Sequence, residues 1–597
     1  MLHVFWDTAK RYANDTAVRS KIGGAYQAQT WRELGVIARE ISLGLVSLGI
    51  QPKEHVSILA GTRMEWVAAD LGILGAGAIT VPIYQSNPAP DCAYIVQNAG
   101  SRAVFIDDDK QLAKIHAHRK EMPTLAHVIH MTASSAEGYI GWEELREKGR
   151  AYDAANPRAY GERMATLTPQ TPLTIIYTSG TTGAPKGAIL SHGNMMFEAN
   201  ALNEMNIVSH EDDQLLFLPM AHVFAKVLEC CWFRQGHVMS FAENVDKLVQ
   251  NMSEVHPTLM GAVPRVYEKI YSRVIASGTE GGGIKAKLFQ WALSVEARVA
   301  EVEKKDRAPS GLLALEWRVA HKLVFSKIKD KLDALFGGKM RIFVSGGAPL
   351  STKIAFFFKH AGLVVLEGYG MTETSAGATI ARPHLNKPGT VGLPLPGSEV
   401  TIASDGEVLL RGPHIMLGYH GLPEATRETI DSDGWLHTGD IGTLDPDGCL
   451  RITDRKKDLI ITAGGKNVAP QNLENQLKTI PLVSQAVVLG DRRKYLCALF
   501  TLNYEAALRL AEAQNIEPRT PDALAKNEAI RAALQAALDQ FNSSVAQFES
   551  IKKFAILPGD FTQESGELTP SLKVKRKLVA ERYSSIVDGL YDEVLAS

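Results

Sequence analysis

Leu173-Thr174-Ile175-Ile176-Tyr177-Thr178-Ser179-Gly180-Thr181-Thr182-Gly183-Ala184-Pro185-Lys186-Gly187 sets an apolar, β-branched run directly before a loop of hydroxyls, glycines and one lysine. The run reads as a strand. The loop has the parts that wrap a polyphosphate: backbone N–H groups left accessible by glycine, hydroxyl donors and a mobile cation. After a strand, such a loop sits where open α/β sheets place ligands, outside the carboxyl ends of their strands. It is not the common P-loop, which needs Gly-Lys followed at once by Ser or Thr so that the hydroxyl can hold Mg²⁺. Here Lys186 stands between Pro185 and Gly187, so a kinase or NTPase assignment loses its main support. A flexible linker would need neither the strand before the loop nor the Pro-Lys-Gly after it.

Upstream of the loop, helical and strand patterns alternate, as in Trp31–Leu48 followed by Val56-Ser57-Ile58-Leu59. That alternation predicts an α/β sheet covered by helices. The most apolar stretch, Leu71 to Tyr84, is too short to span a bilayer and reads as a buried helix feeding the strand Ala78-Ile79-Thr80-Val81. Downstream, residues 392–447 look like short strands and turns, among them Val400-Thr401-Ile402, Ser404-Asp405-Gly406-Glu407 and Val408-Leu409-Leu410. They predict a small β-rich subdomain. After Arg455 the pattern becomes a compact α+β module. Its strand candidates are Leu459–Thr462, Ala486–Leu489 and Leu496–Leu502, and its helices lie around Leu473–Thr479 and Ala523–Val545. The boundary falls near Lys456-Lys457.

With 597 residues the chain can hold several domains, and its formal net charge of −2 gives no electrostatic case for nucleic acid. Met1-Leu2-His3-Val4-Phe5-Trp6-Asp7 does not look like a signal peptide. The five cysteines, Cys92, Cys230, Cys231, Cys449 and Cys497, are scattered and lack metal-ligand spacing. They read as small buried hydrophobes in a reducing cytoplasm, so any thiol chemistry would use a thiol brought by a substrate. Residues 284–341 are helical and carry thirteen Lys and Arg against seven Asp and Glu. They are either a solvated helical face or a surface for anionic lipid headgroups or polyphosphate.

Further motifs follow the loop in order. They are Pro219-Met220-Ala221-His222-Val223, Ser345-Gly346-Gly347-Ala348-Pro349-Leu350 and Glu367-Gly368-Tyr369-Gly370-Met371-Thr372-Glu373-Thr374. Then come Gly434-Trp435-Leu436-His437-Thr438-Gly439-Asp440, Thr453-Asp454-Arg455-Lys456-Lys457-Asp458, Gly464-Gly465-Lys466-Asn467-Val468-Ala469-Pro470 and Leu568-Thr569-Pro570-Ser571-Leu572-Lys573-Val574-Lys575-Arg576. Over nearly its whole length the chain resembles the adenylate-forming superfamily, and within it the bacterial long-chain fatty acyl-CoA synthetases. The resemblance implies a large N-terminal AMP-binding and acyl-binding domain, residues 1–455, made of helix-covered β-sheets with the small β-subdomain. A hinge joins it to a small mobile α+β C-terminal domain, residues 456–597.

The implied reaction has two steps. A fatty carboxylate attacks the α-phosphate of ATP, giving acyl-AMP and pyrophosphate; the thiol of coenzyme A then displaces AMP. The alternative is a fatty acyl-AMP ligase that loads an acyl carrier protein, and a noncatalytic nucleotide-binding scaffold is a rival of another class. The implied partners are a long-chain fatty acid, ATP, Mg²⁺ and coenzyme A, in the cytoplasm or peripherally at the inner face of the membrane.

Roles carry over by position. Thr178, Ser179, Gly180, Thr181, Thr182, Gly183 and Lys186 match the phosphate loop, Thr372 the α-phosphate donor and Glu373 the Mg²⁺ ligand. Tyr369 matches the ring stacked on adenine, with Gly347 and Ala348 lining the base, while Asp440 and Arg455 match the ribose contacts. His222 lies where the family puts a residue near the substrate carboxylate. Lys457 matches the hinge, Lys573 (rather than the nearby Lys575) the lysine brought in for adenylation, and Gly464 and Gly465 the loop facing the pantetheine arm. Some long-chain relatives carry an aromatic gate one helical turn after the histidine, where this chain has Lys226. Candidate acyl-pocket segments are Val223-Phe224, Val227-Leu228, Trp232-Phe233 and Val263-Pro264.

Overall fold

The computed structural model describes residues 1–178, 184–279, 282–569 and 573–592. Its frame is two large sheets. One, of eight strands, runs in the order Gly418–Tyr419, Lys186–Ser191, Pro172–Thr178, Ile79–Ile83, His55–Leu59, Ala103–Ile106, His127–His130 and Ile140–Gly141. The other, of nine strands, has Asp213–Leu216, Leu259–Ala262, Ile342–Ser345 and Val365–Tyr369 paired in parallel at and beside its middle. The predicted helices form at Trp31–Ser47 and Met64–Gly75, the latter feeding the strand Ile79–Ile83.

These helices are buried on most of their surface because they lie between the sheets. One core cluster joins Val56 and Ile58 of the first sheet to Leu216 and Met239 of the second through Trp31, Leu34, Trp66 and Trp232. Thr30 starts the first of these helices with a capping box: its hydroxyl accepts from Glu33 N at 3.2 Å, and the Glu33 carboxylate accepts from Thr30 N at 2.7 Å. Such a cap contributes about 1 kcal/mol.

The β-subdomain is a four-stranded sheet that includes Glu399–Ile402, Glu407–Arg411, Leu436–Leu444 and Leu450–Arg455. Beyond it, Val483–Leu489, Leu496–Leu502 and Ile551–Leu557 make a three-stranded sheet covered by helices Pro470–Leu477 and Glu528–Asn542. Three local expectations are corrected here. The strand expected over Leu459–Thr462 is limited to Ile460–Ile461. The helix expected over Ala523–Val545 is two helices, because the Asn527 side chain accepts from Ala529 N and Ile530 N and starts a new one. The strand Ile551–Leu557 was not foreseen: Lys552 and Lys553 interrupt its apolar pattern, and it lies at the sheet edge, parallel to Leu496–Leu502.

Candidate active site

Strands from both sheets end facing one cleft. Thr178 closes Pro172–Thr178, and Lys186 opens the antiparallel strand beside it, with the two residues paired in register. Ser179, Gly180, Thr181, Thr182 and Gly183, between these two strands in sequence, lie outside the described residues. In the second sheet the same ends are followed by His222, by Val263, by Gly346-Gly347-Ala348 and by Thr372-Glu373. Thr178, Lys186, His222, Gly347, Ala348, Tyr369, Thr372, Glu373, Asp440, Arg455, Lys457 and Lys573 all line a single cavity of about 2930 Å³. Gly347 has φ of +81°, a conformation that a side chain would strain.

The polar groups are coupled. Asp440 accepts from Tyr369 Oη at 2.7 Å on one oxygen and meets Arg455 Nε at 3.1 Å on the other. A carboxylate has about four lone-pair sites, so room remains for a diol. Burial and the Asp440 charge push the Tyr369 hydroxyl far above its ordinary value, keeping it a donor. Glu373 accepts from Tyr419 Oη at 2.6 Å, and the Lys186 ammonium lies 5.1 Å from the centre of the same Tyr419 ring. Tyr419 was missed from sequence; it lies outside every motif, in the short edge strand Gly418–Tyr419 that pairs with Ala188 and Ile189, and only the fold brings it to Glu373.

His222 caps helix Val223–Gln235: its Nδ1 accepts from Phe224 N at 3.0 Å, leaving the proton on Nε2. Burial, and then the Lys573 charge, lower it to about 4, so the ring is neutral at pH 7. Lys573 stands exposed to the cleft while enclosed by protein. Burial and the Arg455 charge lower its ammonium to about 8, partly offset by Asp440 and Glu373. Burial and Arg455 also lower Lys457.

Gly464 and Gly465 are not brought to this cavity. They form an exposed turn in which Gly465 N donates to Thr462 O. Among the described residues no three His, Cys, Asp or Glu side chains converge to hold a metal.

One pocket expectation changes. Val223, Phe224, Val227, Leu228, Val263 and Pro264 line the cavity, but Trp232 and Phe233 turn the other way and pack against Trp31 and Phe5. Lys226 is no gate. It is buried away from the cavity, 2.5 Å from Asp70 and 2.7 Å from Glu229. Burial opposes its charge, but the two carboxyls outweigh that and raise it; burial raises Glu229.

A family model described as AMP-binding enzyme matches residues 5–420, and one described as AMP-binding enzyme C-terminal domain matches residues 457–595. The chain belongs to the AMP-binding enzyme family. It is 38% identical over 576 residues to a Mycobacterium bovis protein named long-chain-fatty-acid–CoA ligase FadD15, covering 96% of this chain and 94% of that one. It is 31% identical to the Mus musculus long-chain-fatty-acid–CoA ligase ACSBG2, covering 98% of this chain and 92% of that one. The fold is shared with the anthranilate CoA ligase AuaEII, solved with anthranoyl-AMP, at a TM-score of 0.73 and 20% identity, with 98% of each chain covered. AMP-binding family membership accounts for why the residues above, spread over 396 positions from Thr178 to Lys573, meet at one cleft.

Proposed function

We propose that the chain is an ATP-dependent long-chain fatty acid–CoA ligase. The observation that carries this reading is the continuity of the cavity. The end with Tyr369, Glu373, Asp440 and Lys573 opens into an apolar end lined by Phe224, Val227, Leu228 and Cys231. A methylene taken from water contributes about 0.8 kcal/mol, so such a wall favours long chains.

In this reading Tyr369 stacks on adenine, with Gly347 and Ala348 beside the base, and Asp440 accepts from the ribose diol, oriented by Tyr369 and Arg455. The neutral His222 donates Nε2–H to the fatty carboxylate. That carboxylate attacks the α-phosphate held by Thr372. The P–O bond to the β-phosphate breaks, and pyrophosphate leaves past Thr178 and Lys186. Lys573 offsets the repulsion between the two anions. Glu373 fits a Mg²⁺ site, since this hard ion takes one or two carboxylates plus phosphate oxygens and water; when bound, the ion supplies further positive charge at the phosphates.

The thiol of coenzyme A then attacks the acyl carbonyl and AMP leaves. For that step Gly464 and Gly465 must reach the cleft and Lys573 must leave it, by rotation at the hinge Lys457 between residues 1–455 and 456–597. Helices Tyr504–Ala513, Pro521–Ala525 and Glu528–Asn542 pack on the C-terminal domain's own sheet, which supports the CoA reading over an acyl-AMP ligase with an insertion at the hinge. Enzyme mixed with palmitate, ATP, Mg²⁺ and coenzyme A should yield palmitoyl-CoA. Accumulation of acyl-AMP without acyl-CoA would reject the assignment in favour of the acyl-AMP ligase.

The membrane partner belongs to the same reading. No helix among the described residues is long and apolar enough to cross a bilayer. Helix Gly311–Ala320 and the turn after it nevertheless expose Leu312 (72%), Leu315 (58%), Val319 (41%) and Leu323 (42%), one stripe at helical spacing. Leu313, Trp317, Val324 and Phe325 on the other side fill the core, and Arg318 and Lys322 flank the stripe exposed. An apolar stripe edged with cations suits an anionic bilayer surface. Sedimentation with phosphatidylglycerol vesicles should be lost in Leu312→Asp/Leu315→Asp, while turnover of soluble substrate stays. Equal sedimentation of the variant would remove this surface from the model.

A further inference from the structure

Arg265 bridges the two domains. It stands in the first turn of helix Pro264–Thr279, directly after Val263 and Pro264 on the cavity wall. Its guanidinium donates through Nη1 to Ser484 O at 2.9 Å and through Nη2 to Ser484 Oγ at 2.8 Å, so two N–H groups converge on one residue of the C-terminal domain. Glu268, one helical turn on, lies 3.6 Å from the guanidinium and holds it from its own side. Asn472 Nδ2 also crosses the boundary, to Thr453 O at 2.7 Å, but beside the hinge in sequence.

The receiving side is shaped for this fork. The ladder between Val483–Leu489 and Leu496–Leu502 slips at Ser484: Val483 pairs with Leu502 and Gln485 with Thr501, which leaves Ser484 bulged. Bulges re-aim a residue out of the regular ladder. Ser484 is 3% exposed; its hydroxyl donates to Asp560 Oδ2 at 2.6 Å, and Asp560 Oδ1 accepts from Thr501 Oγ1 at 2.6 Å. With its one proton given to a carboxylate, Ser484 Oγ turns its lone pairs to Arg265, and the Asp560 charge strengthens it as an acceptor. A carbonyl and a polarised hydroxyl side by side match the planar fork of arginine, whereas lysine offers a point charge.

We propose that Arg265 is a positioning residue for acyl-AMP formation: its fork on Ser484 holds the C-terminal domain where Lys573 lines the cleft, and it opens before the thiol step. Arg265 acts through Lys573 rather than on the substrate. The bulge at Ser484 and the Asp560–Thr501 tether keep the receptor formed within the C-terminal domain while the fork is open, so each return to the adenylation arrangement meets the same geometry.

The inference rests on the two-step ligase reading, which the wild-type enzyme tests by itself: palmitate, ATP and coenzyme A must give palmitoyl-CoA. For Arg265, pyrophosphate release with palmitate and ATP is compared with palmitoyl-CoA formation from supplied palmitoyl-AMP, and the urea midpoint is measured alongside. Arg265→Ala should lower the first about tenfold at saturating substrate and leave the second no more than about twofold below wild type. Arg265→Lys keeps the charge and most of the stem but not the fork, so adenylation should still fall at least about threefold with an unchanged urea midpoint. Ser484→Ala should lower adenylation by about threefold and, added to Arg265→Ala, should cost less than about twofold more, because both remove the same bond. Equal loss of both half-reactions, full adenylation in Arg265→Lys or additive losses in the double variant would overturn the proposal. So would a raised palmitate KM with an unchanged saturating rate in Arg265→Ala, which marks a substrate contact. None of these outcomes alters the palmitoyl-CoA yield of the wild-type enzyme, on which the ligase reading stands.

Discussion

Replacing Lys573 with alanine removes one cation from a site where one anion must attack another. The groups facing Lys573 are His222, Glu373, Asp440 and Arg455; the histidine is neutral and Arg455 is already engaged by Asp440. Two unit charges about 4 Å apart interact by about 4 kcal/mol at an effective dielectric of about 20 and by about 1 kcal/mol in bulk water. Lys573 is enclosed by protein yet exposed to the cleft, so its contribution lies between these limits. Acyl-AMP formation should therefore fall by between about fivefold and a thousandfold. The assay is pyrophosphate release with palmitate and ATP, set beside acyl-CoA formation from supplied palmitoyl-AMP. The second half-reaction should change by less than about threefold. Lys575→Ala, two positions on, should leave both near wild type.

The lowered ammonium adds a pH arm. Its charged form is the one needed, and it is lost as pH rises through about 8, so adenylation kcat/KM should decline above that value. Lys573→Arg, whose guanidinium keeps its proton above pH 12, should remove the decline. Equal loss of both half-reactions in Lys573→Ala, or a decline unchanged in Lys573→Arg, would refute the reasoning.

Other expectations follow from the same geometry. Lys457→Pro fixes φ at the hinge and restricts Lys456, so thioester formation should suffer at least tenfold more than adenylation; equal effects in half-reaction assays would remove Lys457 from that role. Tyr369→Phe keeps the ring but deletes the 2.7 Å bond to Asp440. A bond to a charged group contributes about 1.5–3 kcal/mol, so the KM for ATP should rise roughly ten- to hundredfold, and a change under twofold would count against the ribose assignment. Lys226→Met should destabilise the fold by about 3–5 kcal/mol by stranding Asp70 and Glu229, read as a lower urea midpoint. Adding Asp70→Asn and Glu229→Gln should recover much of that loss; an unchanged midpoint in the single variant would contradict the buried pairing.

The features legible in sequence were local or patterned. The run Leu173–Ile176 announced its strand, and Ser404-Asp405-Gly406-Glu407 announced a turn of the β-subdomain, because β-branched residues and turn formers act within a few positions. What escaped depends on partners far away in the chain. The pairing of Lys226 with Asp70, 156 positions earlier, is one such case. Trp232 and Phe233 have the same hydrophobicity as Val227 and Leu228, but a helix has two sides, and nothing local says which faces a cavity and which faces Phe5 and Trp31.

In the proposed reaction, the positions of Lys573 inside the cavity and of Gly464-Gly465 outside it call for a motion between the two steps. Arg265 donates to Ser484 O at 2.9 Å and to Ser484 Oγ at 2.8 Å, fastening the C-terminal domain over the cleft with Lys573 inside. Lys456, at the boundary, is held by Asp405 at 2.6 Å and Glu407 at 3.1 Å, so the anchor of the hinge belongs to the β-subdomain and Lys457 is the first residue beyond it. In this arrangement the glycine turn is exposed and outside the cavity. In the proposed reaction the glycine turn must replace Lys573 at the cleft before the thiol can attack. Contacts such as the part-buried Arg265–Ser484 pair must break in that motion, whereas the cores on either side of Lys457 are large and separate. In the proposed reaction, rotation at Lys457 exchanges the lysine assigned to adenylation for the glycine turn assigned to the pantetheine arm.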